Sequence, residues 1–336
     1  MPSKIAFKLN CSNQSKNTGV YYKIAIVSIA FLYSFALFYF IPMDDSIKDR
    51  LNYLVYSSNS EIIALRYLSS GVMPFLVNEP VWLIINITLN KFLTAENVVS
   101  SIIFFSAFVT AYLVLNSNPK HFVFLLFILI FPQVIGKYVI HLRQGFAISI
   151  FLLGWFTLSK PWRWLLFGLT PFIHASFFFV LVLLFYTSIL KKLKFANDLR
   201  TVAVVSLGLF IGLGLGFIAN ILGARQAEEY EFSIANISGL GFLFWLIVFI
   251  LFWMQGRLFT KENAFAMNVI VFYLTTYFLV EVTGRIFEST VIVVLLVSLG
   301  LTSWRRLFFL VLITFFLVLS WFIRLNQPFL GWGTGL

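Results

Sequence analysis

Residues Ile24–Ile41 read IAIVSIAFLYSFALFYFI, an apolar run that contains no charged side chain. A helix of this length can cross the hydrocarbon core of a bilayer. Similar runs recur along the chain, and 60% of its 336 residues are hydrophobic while only 11% are charged. Since a soluble domain carries about a quarter of its residues as charges, the pattern predicts an all-α polytopic membrane protein. It excludes soluble globular, disordered and nucleic-acid-binding proteins.

The polar start of the chain predicts its orientation. Residues 1–23 contain four lysines and no acidic residue, which is typical of a cytoplasmic N-terminal tail. The apolar run that follows is too long for the core of a signal peptide and lacks a small-x-small cleavage site, so we expect it to be retained. Residues 24–336 are then expected to form a single transmembrane domain.

The predicted number of spans depends on Pro80–Leu93, a short apolar piece that carries Asn86 and Asn90. We interpret it as an amphipathic helix that lies in the membrane interface, within a first outer loop of residues 43–97. A second larger outer loop is expected at 221–238. About eleven transmembrane helices result, at residues 24–41, 98–115, 121–136, 145–158, 161–173, 176–190, 201–220, 239–254, 264–281, 286–302 and 307–323.

The distribution of charge supports this interpretation. Of the 24 basic residues, 15 fall on the cytoplasmic side of the eleven-span arrangement, with only two of the 13 acidic residues, Asp198 and Glu262. Cytoplasmic loops of membrane proteins carry such an excess of lysine and arginine. If residues 80–93 formed a span, almost every basic cluster would move to the outer side.

Charged residues on the outer face need a different explanation. Glu79 precedes Pro80 at a predicted helix start, where a carboxylate either stabilises the positive helix end or serves as a fixed functional group. Arg143 and Gln144 lie at the outer end of the span 145–158. Arg143 either extends its charge into the interface or forms an anion site with the adjacent helix N-terminus.

Three further outer positions are candidates. His174 lies in a tight turn between two apolar spans. It either has a structural role or acts as a proton acceptor or as a hydrogen-bond donor to phosphate. Arg285 lies near the start of an apolar span, where an unpaired charge is costly, which favours a functional role. Tyr230 belongs to a charged outer loop. The sequence contains no P-loop, HExxH or CxxC motif, so it predicts no ATP-driven transport.

Four short motifs in chain order carry a resemblance to a known family. They are Asp49-Arg50-Leu51-Asn52-Tyr53, Asn78-Glu79-Pro80-Val81-Trp82, Arg143-Gln144-Gly145-Phe146-Ala147 and His174-Ala175-Ser176. This order resembles the EpsG/Wzy-like family of bacterial polysaccharide polymerases. The resemblance covers roughly residues 20–190 and implies a GT-C-like fold, a bacterial inner membrane location and undecaprenyl-diphosphate-linked oligosaccharide substrates.

The resemblance implies a glycosyltransferase that joins lipid-linked repeat units of O-antigen or a related surface polysaccharide at the periplasmic face. Arginine binds phosphate in a bidentate manner and can supply the positive charge, so we expect no metal or other cofactor. The acceptor hydroxyl needs a base. The expected diphosphate-binding residues are Arg143, Arg285, Arg50 and Gln144. The candidate bases are Glu79, Asp49 and His174. The candidate sugar-binding residues are Tyr53, Trp82 and Tyr230.

Two other functions remain open from the residues themselves. A flippase or transporter of lipid-linked oligosaccharides would share the substrate, although transporters usually show internal repeats and charged residues at mid-span. An O-antigen ligase-like glycosyltransferase would use the same outer arginine and histidine chemistry. Membrane lipids are expected partners in each case, and a chain-length-regulating membrane protein is a candidate partner of a polymerase.

Overall fold

The computed structural model describes residues 16–222, 239–280 and 282–334. Within these ranges the chain is helical, and its extended pairing is limited to an isolated antiparallel bridge between Ile47 and Gly333. The predicted all-α class is therefore confirmed. Tyr230 and most of the expected outer loop at 221–238 lie outside the described residues, as does most of the N-terminal tail.

The described residues form two compact units. The first unit comprises residues 16–174 and 316–334, and the second comprises residues 175–315. The helices of the first unit are α1 (Lys16–Tyr39), α2 (Arg50–Ser70), α3 (Val72–Val77), α4 (Pro80–Asn90), α5 (Ala95–Ser117), α6 (Phe122–Leu129), α7 (Pro132–Val139), α8 (Leu142–Phe156) and α9 (Lys160–Leu169). Those of the second unit are α10 (Ser176–Lys192), α11 (Asn197–Leu222), α12 (Leu240–Met254), α13 (Arg257–Glu262), α14 (Ala264–Thr276), α15 (Thr283–Glu288) and α16 (Val291–Val297). Helix α17 (Ser303–Arg324) contributes to both units.

Helix α5 lies at the centre of the first unit and packs against α1, α2 and α8. The Thr94 hydroxyl caps its N-terminus by accepting a hydrogen bond from the Asn97 amide at 3.4 Å. Its buried positions recur every three or four residues from Val98 to Leu115, which places them on one face. On α2, Arg50, Tyr53, Ser57 and Ser60 form a similar buried row, and this helix packs against α4 and α5.

Two helix breaks shape the region around α7. Pro132 begins α7 and separates it from α6, and the two helices meet at a bend of 63°. Proline suits a first helical turn because its missing N–H would be unpaired there. The span expected at 121–136 is thus two bent segments, either a broken span or a re-entrant loop. Helix α8 begins only three residues after α7 ends.

The second unit is built around α14, which is buried along most of its length and packs against α10, α11, α12 and α15. Gly208 and Gly212, one turn apart on α11, allow close approach to this region. A Cβ at Gly208 would lie 3.0 Å from the Thr275 side chain, and one at Gly212 would lie 3.0 Å from that of Leu279. Small residues at this spacing are typical of closely packed membrane helices.

By length and composition, four described helices could cross a membrane, namely α1, α5, the part of α11 at Asn197–Gly214, and α17. The bent pair α6–α7 could make a fifth. This is consistent with a multi-pass membrane protein. Several of the other expected spans fall on shorter apolar helices of 10–17 residues, so the count of eleven and the GT-C arrangement stay predictions.

Candidate functional site

An ion pair between Glu79 and Arg143 forms the centre of the candidate site. Arg143 donates a hydrogen bond through Nη1 to Oε2 of Glu79, and the two side chains are only 16% and 7% exposed. Glu79 precedes α4 in the first expected outer loop, whereas Arg143 is the second residue of α8. The structure thus joins two motifs that the sequence separates by 64 residues.

The backbone of Glu79 explains how its carboxylate reaches Arg143. Glu79 is the N-cap of α4 and adopts the left-handed conformation, with φ 62° and ψ 53°. Its side chain makes no capping hydrogen bond to the helix. Instead of a capping hydrogen bond, its carboxylate makes the ion pair with Arg143, and both roles considered for Glu79 stay predictions. A non-glycine residue with positive φ is uncommon and often marks a functional position.

Two tyrosines of α2 complete the surroundings of Arg143. The Tyr53 hydroxyl is hydrogen-bonded to Arg143, and the guanidinium carbon lies 5.6 Å from the centre of the Tyr56 ring, within the range of a cation–π contact. Burial raises the pKa of Tyr53, and the charge of Arg143 opposes that rise. Arg143 is therefore held by a carboxylate, a hydroxyl and an aromatic face.

Arg50 is a second buried arginine, one turn before Tyr53 on α2. Its side chain is buried, and its Nη2 donates to the Val139 carbonyl at 3.0 Å. The Nε and Nη1 atoms have no hydrogen-bond partner. Burial lowers the pKa of Arg50 to about 10. A buried guanidinium with two unpaired nitrogens is costly in a protein interior, and it is suited to bind an oxyanion.

Lys137 and Gln144 form a buried pair beside these residues. Lys137 on α7 donates to Oε1 of Gln144 on α8 at 3.0 Å, and both side chains are buried. Helices α7 and α8 meet closely here, since a Cβ at Gly145 would lie 2.3 Å from the Lys137 carbonyl oxygen. Gly145 therefore lets α8 begin against α7. Sequence reasoning missed Lys137 and Tyr56 as site residues, although Lys137 is a charge beside an apolar run.

The remaining candidate residues of the first unit, Asp49, His174 and Trp82, differ in how far they are exposed. Asp49 is exposed and left-handed, with φ 61°, and its charge raises the pKa of nearby Tyr53. His174 is half-buried and follows a short 3₁₀ turn that contacts α4. Trp82 is 1% exposed and packs edge-on against Tyr53 at 6.0 Å. Its ring is enclosed by protein in the structure, and the sugar-stacking role expected for Trp82 stays a prediction.

Arg285 belongs to the second unit. It is exposed on α15, whose Thr283 hydroxyl donates to the Thr276 carbonyl at 2.9 Å. The diphosphate role expected for Arg285 stays a prediction. Tyr230 lies outside the described residues.

The described residues contain no group of three or more histidine, cysteine, aspartate or glutamate side chains that could hold a metal ion. Within the acidic stretch before α2, Asp44 accepts hydrogen bonds from the amide and hydroxyl of Ser46, which lower its pKa. The groups that the candidate site offers are the Glu79 carboxylate, the Tyr53 hydroxyl and the guanidinium groups of Arg143 and Arg50.

Comparison with known proteins adds no assignment. No protein-family model, no curated protein and no solved structure matches this chain.

Proposed function

We propose that this protein is a membrane glycosyltransferase that polymerises lipid-diphosphate-linked oligosaccharide repeat units. The observation that carries the proposal is the enclosed Glu79–Arg143 pair, with Tyr53 on Arg143. It brings a candidate base and a candidate phosphate ligand together from two of the motifs that resemble the EpsG/Wzy-like family. The proposed location is the bacterial inner membrane, with the site on the periplasmic face.

The reaction forms one glycosidic bond and breaks one phosphate ester bond. An acceptor sugar hydroxyl attacks the anomeric carbon of the donor glycan, and the bond from that carbon to the diphosphate oxygen breaks. The lipid diphosphate leaves with the electron pair, and the hydroxyl proton passes to a base. The leaving group is already good, so the protein mainly needs to position substrates and stabilise charge.

The residues of the site fit these tasks. Glu79 is the proposed base, and Arg143 neutralises the diphosphate as it leaves. Arg50 offers two further donor nitrogens, Nε and Nη1, to phosphate oxygens. Arginine is suited to this work because its fork of donors matches phosphate geometry. A diphosphate that engages Arg143 would also weaken its hold on Glu79, so substrate binding would release the carboxylate for proton transfer.

The surface glycan of a deletion strain tests the proposal. The strain is complemented with wild type, Glu79→Ala or Arg143→Ala, and the glycan is resolved on a gel. We expect both variants to accumulate a single repeat unit and to lose on the order of 10²–10³ in polymerisation rate, as for loss of a charge-stabilising group.

Two matched controls come from the same outer loop. Glu61 and Arg66 lie exposed on α2, so Glu61→Ala and Arg66→Ala should give wild-type ladders at equal membrane abundance. Ladders of normal length from Glu79→Ala and Arg143→Ala would reject the site. A deletion strain that shows no surface unit at all would favour a flippase, because polymerase loss leaves the single unit in place.

A further inference from the structure

The C-terminal segment Pro328–Thr334 pairs with the short stretch that leads into α2. The Lys48 amide donates to the Trp332 carbonyl at 3.0 Å, and the Thr334 amide donates to the Ser46 carbonyl at 2.9 Å. The Thr334 hydroxyl also donates to the Asp45 carbonyl at 3.0 Å. These bonds flank the antiparallel bridge between Ile47 and Gly333. We call this pairing the C-terminal clasp.

The turn that delivers the clasp has an uncommon backbone. Phe329, Leu330 and Gly331 have positive φ angles of 46°, 57° and 82°. The left-handed conformation is unfavourable for residues other than glycine, so the surroundings must hold them. Arg324 Nη1 donates to the Leu330 carbonyl at 3.2 Å, and the Gly333 amide donates to the Pro328 carbonyl at 3.0 Å.

Trp332 connects the clasp to Arg50. It is 7% exposed and packs in one apolar cluster with Ile47, Ile135 and Val139. Both hydrogen bonds that fix Arg50 end on members of this cluster. The Arg50 amide donates to the Ile47 carbonyl at 3.2 Å, and its guanidinium donates to the Val139 carbonyl at 3.0 Å.

We infer that Trp332 is a positioning residue of the candidate site, acting through Ile47 and Val139 on Arg50. The clasp holds the stretch that ends at left-handed Asp49, and Trp332 holds the two carbonyls that orient Arg50. The C-terminal segment is then part of the site assembly, although it contributes no group to the reaction. The effect on activity rests on the proposed function, whereas the geometry of the clasp does not.

The geometry is tested by a disulfide. Ser46 and Thr334 lie opposite each other across the clasp, joined by the bond from the Thr334 amide to the Ser46 carbonyl. Opposed residues of an antiparallel pair are roughly 4.5–5.5 Å apart at Cα, which a disulfide can span. In a Cys11→Ser background, which removes the only native cysteine, Ser46→Cys/Thr334→Cys should oxidise and resist labelling by maleimide-polyethylene glycol. The control Ser69→Cys/Thr334→Cys should stay labelled, because Ser69 lies about 30 Å along α2. Failure of the first pair to oxidise would overturn the clasp.

The positioning role is tested by activity at equal membrane abundance. Trp332→Ala should lower the yield of long glycan chains about tenfold, whereas Trp332→Phe should retain them. Oxidising the Ser46→Cys/Thr334→Cys pair in Trp332→Ala should restore long chains, and reduction should abolish the rescue. Trp162→Ala changes an exposed tryptophan and should be silent.

If the Trp332→Ala protein does not accumulate in the membrane, a second variant tests the positioning role. Thr334→Pro removes the amide donor to Ser46 without changing the apolar cluster, and it should shorten chains more than Thr334→Ala. An inactive Arg143→Ala variant shows that the assay reports on the candidate site. If, in that case, Trp332→Ala and Thr334→Pro both give chains of normal length, the positioning role is overturned. If Arg143→Ala is also active, the proposed function fails, and the disulfide result still decides the clasp.

Discussion

Asp49 and Glu79 share a backbone feature at the residue scale. Each precedes a helix with φ near +60°, and neither side chain caps that helix. This conformation costs a residue with a Cβ about 1–2 kcal/mol relative to glycine. Aspartate tolerates it better than most residues do because its short polar side chain can bond locally, and Asp49 accepts a bond of 3.4 Å from Asn52.

Substitution of Asp49 separates the backbone from the carboxylate. Asp49→Gly should leave the melting temperature in detergent near that of wild type, because glycine adopts positive φ freely. Asp49→Val should destabilise the protein by about 1–2 kcal/mol relative to Asp49→Gly, since a β-branched residue is strained there. Glycan ladders from the stable Asp49→Gly variant then test the carboxylate alone. Equal stability of the two variants would contradict the left-handed assignment.

Gly145 is expected to be intolerant of any side chain. A Cβ there would lie 2.3 Å from the Lys137 carbonyl oxygen and 2.9 Å from its carbonyl carbon, so α7 and α8 must separate. Overpacking of this kind costs about 1–3 kcal/mol or more, and it would also move Gln144 from Lys137. We expect Gly145→Ala to lower the melting temperature and the polymer yield together.

Gly168→Ala is the matched control for that change. Gly168 lies in α9, and a Cβ there would meet nothing within 4 Å. Alanine is the better helix former by up to about 1 kcal/mol, so this variant should be as stable as wild type or more stable. A Gly145→Ala protein that melts like Gly168→Ala would show that α7 and α8 are not in close contact.

The sequence identified charged candidate residues but not how they are arranged in space. Glu79, Arg143 and Arg50 were identifiable as candidates because charged residues on the expected outer face have no role as topology anchors. The pairing of Glu79 with Arg143 was not predictable, because helical periodicity carries no information on contacts 64 residues apart. The burial of Trp82 was not predictable for the same reason, since it depends on α2 packing over α4.

At the scale of elements, the sequence located helices more reliably than it located their breaks. The helix expected at Pro80–Leu93 exists as Pro80–Asn90, because Pro80 marks its first turn. The expected span at 121–136 is divided at Pro132, and the one at 286–302 is divided between α15 and α16. In both cases the apolar composition continues through the break, so hydropathy alone does not reveal it.

One hydrogen bond joins two helices of the second unit. Asn268 of α14 donates through its side-chain amide to the Thr187 hydroxyl of α10 at 2.7 Å, and both residues are buried. Thr187→Val keeps the shape and removes the acceptor, which should destabilise the protein by about 0.5–2 kcal/mol. Thr187→Val/Asn268→Leu should recover part of that loss, because the amide is no longer unpaired.

Thermal unfolding in detergent measures both variants. The control is Ser188→Ala, since the Ser188 hydroxyl bonds only within α10, to the Leu184 carbonyl at 2.8 Å. A Thr187→Val protein that is no less stable than Ser188→Ala would show that the bond between α10 and α14 contributes nothing measurable.

At the scale of the whole molecule, the C-terminal clasp constrains membrane topology. Ile47 and Gly333 form a bridge, so in a membrane-spanning chain they lie on the same side of the bilayer. The chain between them must therefore cross an even number of times. The ten spans expected after Ile47 meet this condition, and an additional span at residues 80–93 would violate it. If the ten other expected spans all cross, the bridge agrees with the interpretation of α4 as a helix that does not cross the membrane. If the bent pair α6–α7 is a re-entrant loop, the parity is reversed.

Cysteine labelling in spheroplasts tests this topology. Thr334 and Glu61 are exposed in the structure, so Thr334→Cys and Glu61→Cys, each made in a Cys11→Ser background, should react with a membrane-impermeant maleimide added outside. Native Cys11 should react only after the membrane is permeabilised, because the four lysines around it predict a cytoplasmic tail. Labelling of Thr334→Cys and Glu61→Cys from opposite sides would contradict the even number of crossings. Labelling of all three sites from the outside would agree with an even number of crossings and contradict only the cytoplasmic location of the N-terminal tail. The experiment therefore tests the argument from the bridge separately from the argument from charge.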